Sequence, residues 1–186
     1  MSSHFITGAI SPVKVGKGLK IIIAAQAVLK EALQLEAQIN WLQDFEMAKE
    51  QAAGKSGSQT MGAQLVMAFF TGSDWCPYCQ ALTTEVFQDT GFRIWFNQRF
   101  MVPFMADFPE SASQSVAVIE QNQKLYKQYN ITAFPTVVAI KVSPGYCKPD
   151  GTCVINESEV GRVVGYMPGS GVDSWIASFS AAANIQ

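Results

Sequence analysis

The sequence predicts an α/β domain, a central mixed β-sheet flanked by helices, preceded by an N-terminal helical extension. Three observations carry that prediction. An apolar run, Leu65-Val66-Met67-Ala68-Phe69-Phe70, is followed by Trp75-Cys76-Pro77-Tyr78-Cys79 and an amphipathic stretch to about residue 87, which reads as strand, short loop, helix. A second strand opens on Pro135 and runs through Thr136-Val137-Val138-Ala139-Ile140; a proline cannot donate to a β-ladder, so it belongs at the strand start. Around these two segments, helical and strand patterns alternate in an orderly way.

Taken in order, residues 1–18 are punctuated by Gly and Ser and hold the only histidine, His4, which has no partner cluster. Residues 19–38 place Ile23, Ala27, Leu33 and Leu35 at helical spacing, so 1–39 is read as a partly helical extension and 40–186 as the domain. Lys14, Lys17 and Lys20 before Ile21-Ile22-Ile23 resemble a signal peptide, but the apolar core is shorter than the roughly 7–15 residues such a signal needs. The expectation is an exported chain whose signal has been removed. Residues 51–62 form a Gly/Ser/Lys linker; 91–97 a short helix with Phe92, Trp95 and Phe96 in the core; 101–107 a strand; 115–130 a helix with Val118, Leu125 and Tyr129 inward. The last helix, 172–182, follows Pro168-Gly169-Ser170-Gly171, a tight turn that could cradle an anion but lacks a phosphate-loop Lys or a dinucleotide pattern.

Composition bounds the function. The chain has 186 residues, 48% of them hydrophobic, enough for a full core, and a net charge of −2 that leaves no basic footprint for nucleic acid. No apolar run reaches the roughly 18–20 residues of a membrane span.

The chemistry lies in the cysteines. A helix N-terminus carries unpaired N–H groups and about half a positive charge, so Cys76 is stabilised there as the thiolate, the nucleophile of disulfide exchange. Pro77 suits the first turn, because its missing N–H would have had no partner. Cys79, one turn further in, is placed to attack a mixed disulfide on Cys76. Zinc is disfavoured: Cys147-x5-Cys153 is too wide for a zinc knuckle, and neither metal nor cofactor is expected. Cys147 and Cys153 flank the turn sequence Lys148-Pro149-Asp150-Gly151-Thr152, and facing hairpin strands suit a structural disulfide; a second redox pair is the alternative. A structural bond would imply an oxidising compartment.

Gly72-Ser73-Asp74-Trp75-Cys76-Pro77-Tyr78-Cys79, Glu85-Val86-Phe87 and Phe134-Pro135-Thr136 resemble the thioredoxin-like superfamily, and most closely its bacterial secreted branch. The resemblance covers about residues 40–186, with 41–48 similar to the family's first strand-to-helix segment and 163–166 to its last strand. It implies that Pro135 is a cis proline facing the redox pair, that Phe134 offers backbone groups to a substrate chain, and that Trp75, Pro77 and Tyr78 surround the reactive sulfur. It also implies a periplasmic protein acting on protein disulfides and re-reduced by an upstream thiol protein. Phe69 and Phe70 stand where many thioredoxins bury an Asp, so a proton acceptor for Cys79 is missing there; Asp74 and Glu85 are the nearest carboxylates in sequence. Pro77-Tyr78 also lacks the His of strongly oxidising relatives, which favours a disulfide reductase. A glutathione-dependent reductase of glutaredoxin type, an isomerase or oxidase of the same fold, and a chaperone using only the substrate groove are the alternatives.

Overall fold

The computed structural model describes residues 39–54, 65–147 and 153–185. The expected helix at 19–38, most of the linker and the turn 148–152 lie outside the described residues, as do the side chains of Cys147 and Cys153.

Leu42 makes a single parallel bridge to Phe104, after which Asp44 starts helix α1 (Phe45–Ala52) by accepting from the Met47 N–H at 3.0 Å. Strand β1 (Leu65–Thr71) leads to helix α2 (Pro77–Leu82), which passes directly into a π-helical turn at Thr83–Phe87. Asp89 caps α3 (Thr90–Gln98) through the Gly91 and Phe92 N–H groups, and β2 (Val102–Asp107) follows. Ser115 caps α4 (Val116–Gln128). The chain ends in a long hairpin, β3 (Thr136–Cys147) and β4 (Cys153–Val164), and helix α5 (Val172–Ala183).

These strands form a four-stranded sheet in the order β2-β1-β3-β4, parallel between β1 and β2 and antiparallel elsewhere. The reason β1 reads as an unbroken apolar run is that both of its faces are covered. Met67 and Phe69 point into a core built with α2, α3 and α5; Val66, Ala68 and Phe70 point into one built with α1 and α4. Sheet register thus delivers the end of β1 to the start of α2 at one edge of the first core. The hairpin register sets Cys147 opposite Cys153.

Of the aromatic residues expected in the core on α3, Phe92 and Phe96 are buried, Phe92 meeting Trp175 at 5.5 Å, whereas Trp95 is half-buried and packs against that core. On α4, Leu125 and Tyr129 are inward, whereas Val118 is only half-buried and Asn122 takes the deeper place, its amide donating to the Asp107 carbonyl at 2.9 Å. Helical spacing marks apolar positions and cannot reveal a polar one that the end of a strand satisfies.

Val160 is an extra residue in β4, since Ala139 pairs with Gly161 and Ile140 with Glu159. Beside it α5 packs so closely that a Cβ on Gly161 would overlap the Ala182 carbonyl. The obstruction is backbone, which a rotamer change cannot relieve. Gly161→Val is therefore expected to cost about 3 kcal/mol, seen as a lower urea midpoint at unchanged slope.

Candidate active site

The site begins where β1 runs out. Gly72 turns the chain, its carbonyl accepting from the Trp75 and Cys76 N–H groups at 3.3 and 2.9 Å, and any Cβ on it would overlap the Trp75 indole. Cys76 is then the N-cap of α2: its backbone is extended and its Sγ accepts from the Cys79 N–H at 3.2 Å. Pro77 occupies the first turn, where no N–H is required. Cys76 and Cys79 are joined in a disulfide across a Cα separation of 5.2 Å. Both sulfur residues are almost fully buried, at 3% and 1%, so exposure does not tell them apart. Position does, because only Cys76 sits at the positive end of the helix with an N–H aimed at its sulfur. This is a dithiol–disulfide couple, able to perform thiol–disulfide exchange.

Phe134-Pro135 is a cis peptide bond. Pro135 is buried, its carbonyl accepting from the Gly165 N–H at 2.7 Å, and the Phe134 ring meets the Trp75 indole edge-on at 5.8 Å. Residues distant in sequence, Trp75 beside one cysteine and Phe134 beside the proline, are thereby brought into contact. Trp75 and Tyr78 are 41% and 55% exposed, an apolar rim open to solvent.

The nearest carboxylates in sequence serve other purposes. Asp74 accepts from the Glu110 and Ser111 N–H groups at 3.0 and 2.8 Å and from the Ser111 hydroxyl. Those bonds, the Ser111 hydroxyl first, hold its carboxyl far below the usual range. Glu85, on the π-helical turn, accepts from the Tyr166 hydroxyl and the Gly169 N–H, both at 2.7 Å, and is likewise held below its ordinary value, chiefly by Tyr166. From the Gly-rich turn at 168–171, the Gly169 N–H is the donor to Glu85, the chain's own carboxylate. Burial first, and then Glu85, raises the Tyr166 phenol. Beside Cys79 lies a recess of about 240 Å³ among Phe69, Thr71, Gln80, Thr83 and Met105, with no carboxylate in its lining among the described residues. Phe69 faces this side of the sheet and Phe70 the other.

Sequence reasoning did not find Phe108 and Tyr126, whose rings lie 5.3 and 6.1 Å from Phe134. An aromatic in a loop and another on a helix carry no mark of a shared site until the fold brings them together.

A family profile described as a thioredoxin-like domain matches residues 58–180, most of the chain. The chain belongs to the thioredoxin-like family. Among curated proteins it is 33% identical over 75 residues to the disulfide bond reductase DsbH of Chlamydia pneumoniae. That match covers 40% of this chain and 45% of the relative, so less than half of the relative's length is represented. A solved DsbH oxidoreductase superposes with a TM-score of 0.60 over 99% of this chain and 96% of its own, at 20% identity, a likeness of fold. The thioredoxin-like assignment agrees with the mixed sheet flanked by helices.

Two outcomes are expected. When the reduced protein is alkylated at mildly acidic pH, label should map mainly to Cys76; label mainly on Cys79 contradicts the helix-start argument. Glu85, held below its ordinary 4.5 in the fold, stabilises the native state above that pH and loses the effect as pH falls through its lower native value. The stability gap between wild type and Tyr166→Phe should therefore be widest above pH 4.5 and narrow in acid. A gap constant with pH would mean that Tyr166 acts through packing alone.

Proposed function

We propose that this protein is a protein-disulfide reductase. In the forward step the Cys76 thiolate attacks one sulfur of a substrate disulfide, forming a mixed disulfide and releasing the other substrate sulfur as thiolate. Cys79, deprotonated, then attacks Cys76 Sγ; the Cys76–Cys79 bond forms and the second substrate thiol leaves. Two electrons pass to the substrate, and a donor thiol protein must return them by the reverse exchange. Trp75, Pro77 and Tyr78 shape the surroundings of the sulfur, and Phe134 and Pro135 receive the substrate chain.

The observation that carries the direction is what stabilises the Cys76 sulfur: the start of α2 and the Cys79 N–H, with Pro77 and Tyr78 between the cysteines offering no cationic side chain. A strongly oxidising pair owes its character to a more stabilised reduced form. The curated relative's description as a disulfide bond reductase supports the same direction. Cys147 and Cys153, set opposite each other by the hairpin register, are assigned to a structural disulfide, and the periplasm is the compartment that such a bond favours.

Insulin with dithiothreitol tests the reading. The wild type should accelerate precipitation of the insulin B chain and Cys76→Ser should abolish the acceleration; equal rates with and without the wild type would overturn the assignment. In a dithiothreitol titration with thiol mapping, Cys76 and Cys79 should open before Cys147 and Cys153. Opening of both pairs together would argue against a purely structural second pair.

A further inference from the structure

We propose that residues 107–112 form the wall of the site that receives protein substrates, and that Asp74 is the positioning residue that clasps this wall to the active-site turn. The proposal rests on the reductase reading above and adds a means of distinguishing protein disulfides from small ones.

The three residues between Gly72 and Cys76 each bond this segment. Ser73 donates to Asp107 from its N–H at 2.9 Å and its hydroxyl at 2.6 Å. Asp74 takes the segment's exposed donors onto one carboxylate: Oδ1 accepts from the Glu110 N–H, while Oδ2 accepts from the Ser111 N–H and hydroxyl and from the Ala112 N–H at 3.4 Å. Trp75 Nε1 donates to the Phe108 carbonyl at 2.7 Å. Beyond Asp107, the last residue of β2, the segment has no regular secondary structure of its own, and these contacts, with the Phe108 N–H donating to the Thr71 carbonyl at 2.9 Å, hold it in place. Charge-assisted bonds from several donors to one carboxylate are the strong members of the set.

Because Cys76 follows Trp75 directly, the wall is tied to the reactive cysteine through a few covalent bonds. Its far side is tied to the cis proline: the Phe108 ring lies 5.3 Å from Phe134, which the Trp75 indole also touches. A circuit results, running from Asp74 through the segment to Phe108, on to Phe134 and back through Trp75. A polypeptide laid along Phe134 has to fit against that wall, whereas a small disulfide needs only the sulfur. Both Asp74 oxygens are turned to the segment, so the residue acts on recognition and leaves sulfur chemistry alone.

The test compares the reduced full-length protein, as wild type, Asp74→Asn, Ser111→Ala and the double variant, on insulin and on Ellman's reagent. Asp74→Asn should react with Ellman's reagent within twofold of wild type but lose about tenfold in kcat/KM on insulin through a raised KM. Ser111→Ala should lose about threefold on insulin, and the double variant should be no worse than Asp74→Asn, since both changes open the same clasp. Equal losses on both substrates, no loss on either, a loss carried by kcat alone, or additive losses in the double variant would each overturn the proposal. Ser111→Ala keeps the comparison decisive should Asp74→Asn fold poorly. Absence of insulin turnover by the wild type would instead remove the reductase reading, and this proposal with it.

Discussion

The N–H of Cys79 pointing at the sulfur of Cys76 is the interaction on which the rest of this site depends. It exists because a cysteine occupies the N-cap of α2, a place normally held by Ser, Thr, Asp or Asn, whose side-chain oxygen would take the same hydrogen bond. A thiolate in that position shares a donor that also bonds the Cys76 carbonyl, at 3.1 Å, and sits at the positive end of the helix. The geometry is imposed from outside the helix: β1 ends at Thr71, Gly72 admits the Trp75 ring that any side chain would exclude, and the turn carries Cys76 into the cap. The strand that holds that endpoint is central in the sheet and buried on both faces.

Around this interaction the two sulfurs differ in setting more than in exposure. Cys76 has the helix start and the aromatic rim, while Cys79 lies one turn in, beside a recess lined by Phe69, Thr71, Thr83 and Met105. The helix changes character immediately afterwards, with the Thr83 and Thr84 hydroxyls donating back to the Cys79 and Gln80 carbonyls where the α-helix passes into a π-helical turn. That turn carries Glu85, which the Tyr166 hydroxyl and the Gly169 N–H hold. Gly165, next to Tyr166, bonds Pro135, so the redox helix and the proline are linked a second time, behind the site as well as across its rim.

Much of this is legible in the sequence. The run Leu65-Val66-Met67-Ala68-Phe69-Phe70 announces a buried strand, Cys76-Pro77 a helix start, and Phe134-Pro135-Thr136 the head of a strand, because each uses a residue type whose backbone or burial preference is strong and local. What stays hidden depends on distant partners. Asp74 reads as an ordinary exposed loop residue, which it is by exposure, yet its carboxylate organises a segment some 36–38 residues away. The π-helical turn continues an amphipathic pattern that a plain α-helix would satisfy equally well. Asn122 is buried where the apolar spacing offers no hint, since its partner is the carbonyl at the end of β2.

We propose that the start of α2 and the Cys79 N–H set the poise of the Cys76/Cys79 pair, with no histidine between the cysteines and, among the described residues, no carboxylate in the recess beside Cys79. The equilibrium reduction potential of Cys76/Cys79 against glutathione or a reference dithiol tests it most directly. A value of roughly −200 to −280 mV, the range spanned by glutaredoxins and thioredoxin, is the result expected. A value above about −150 mV, close to that of the strong periplasmic oxidant, would contradict the claim and leave the fold and the cysteine pair in place.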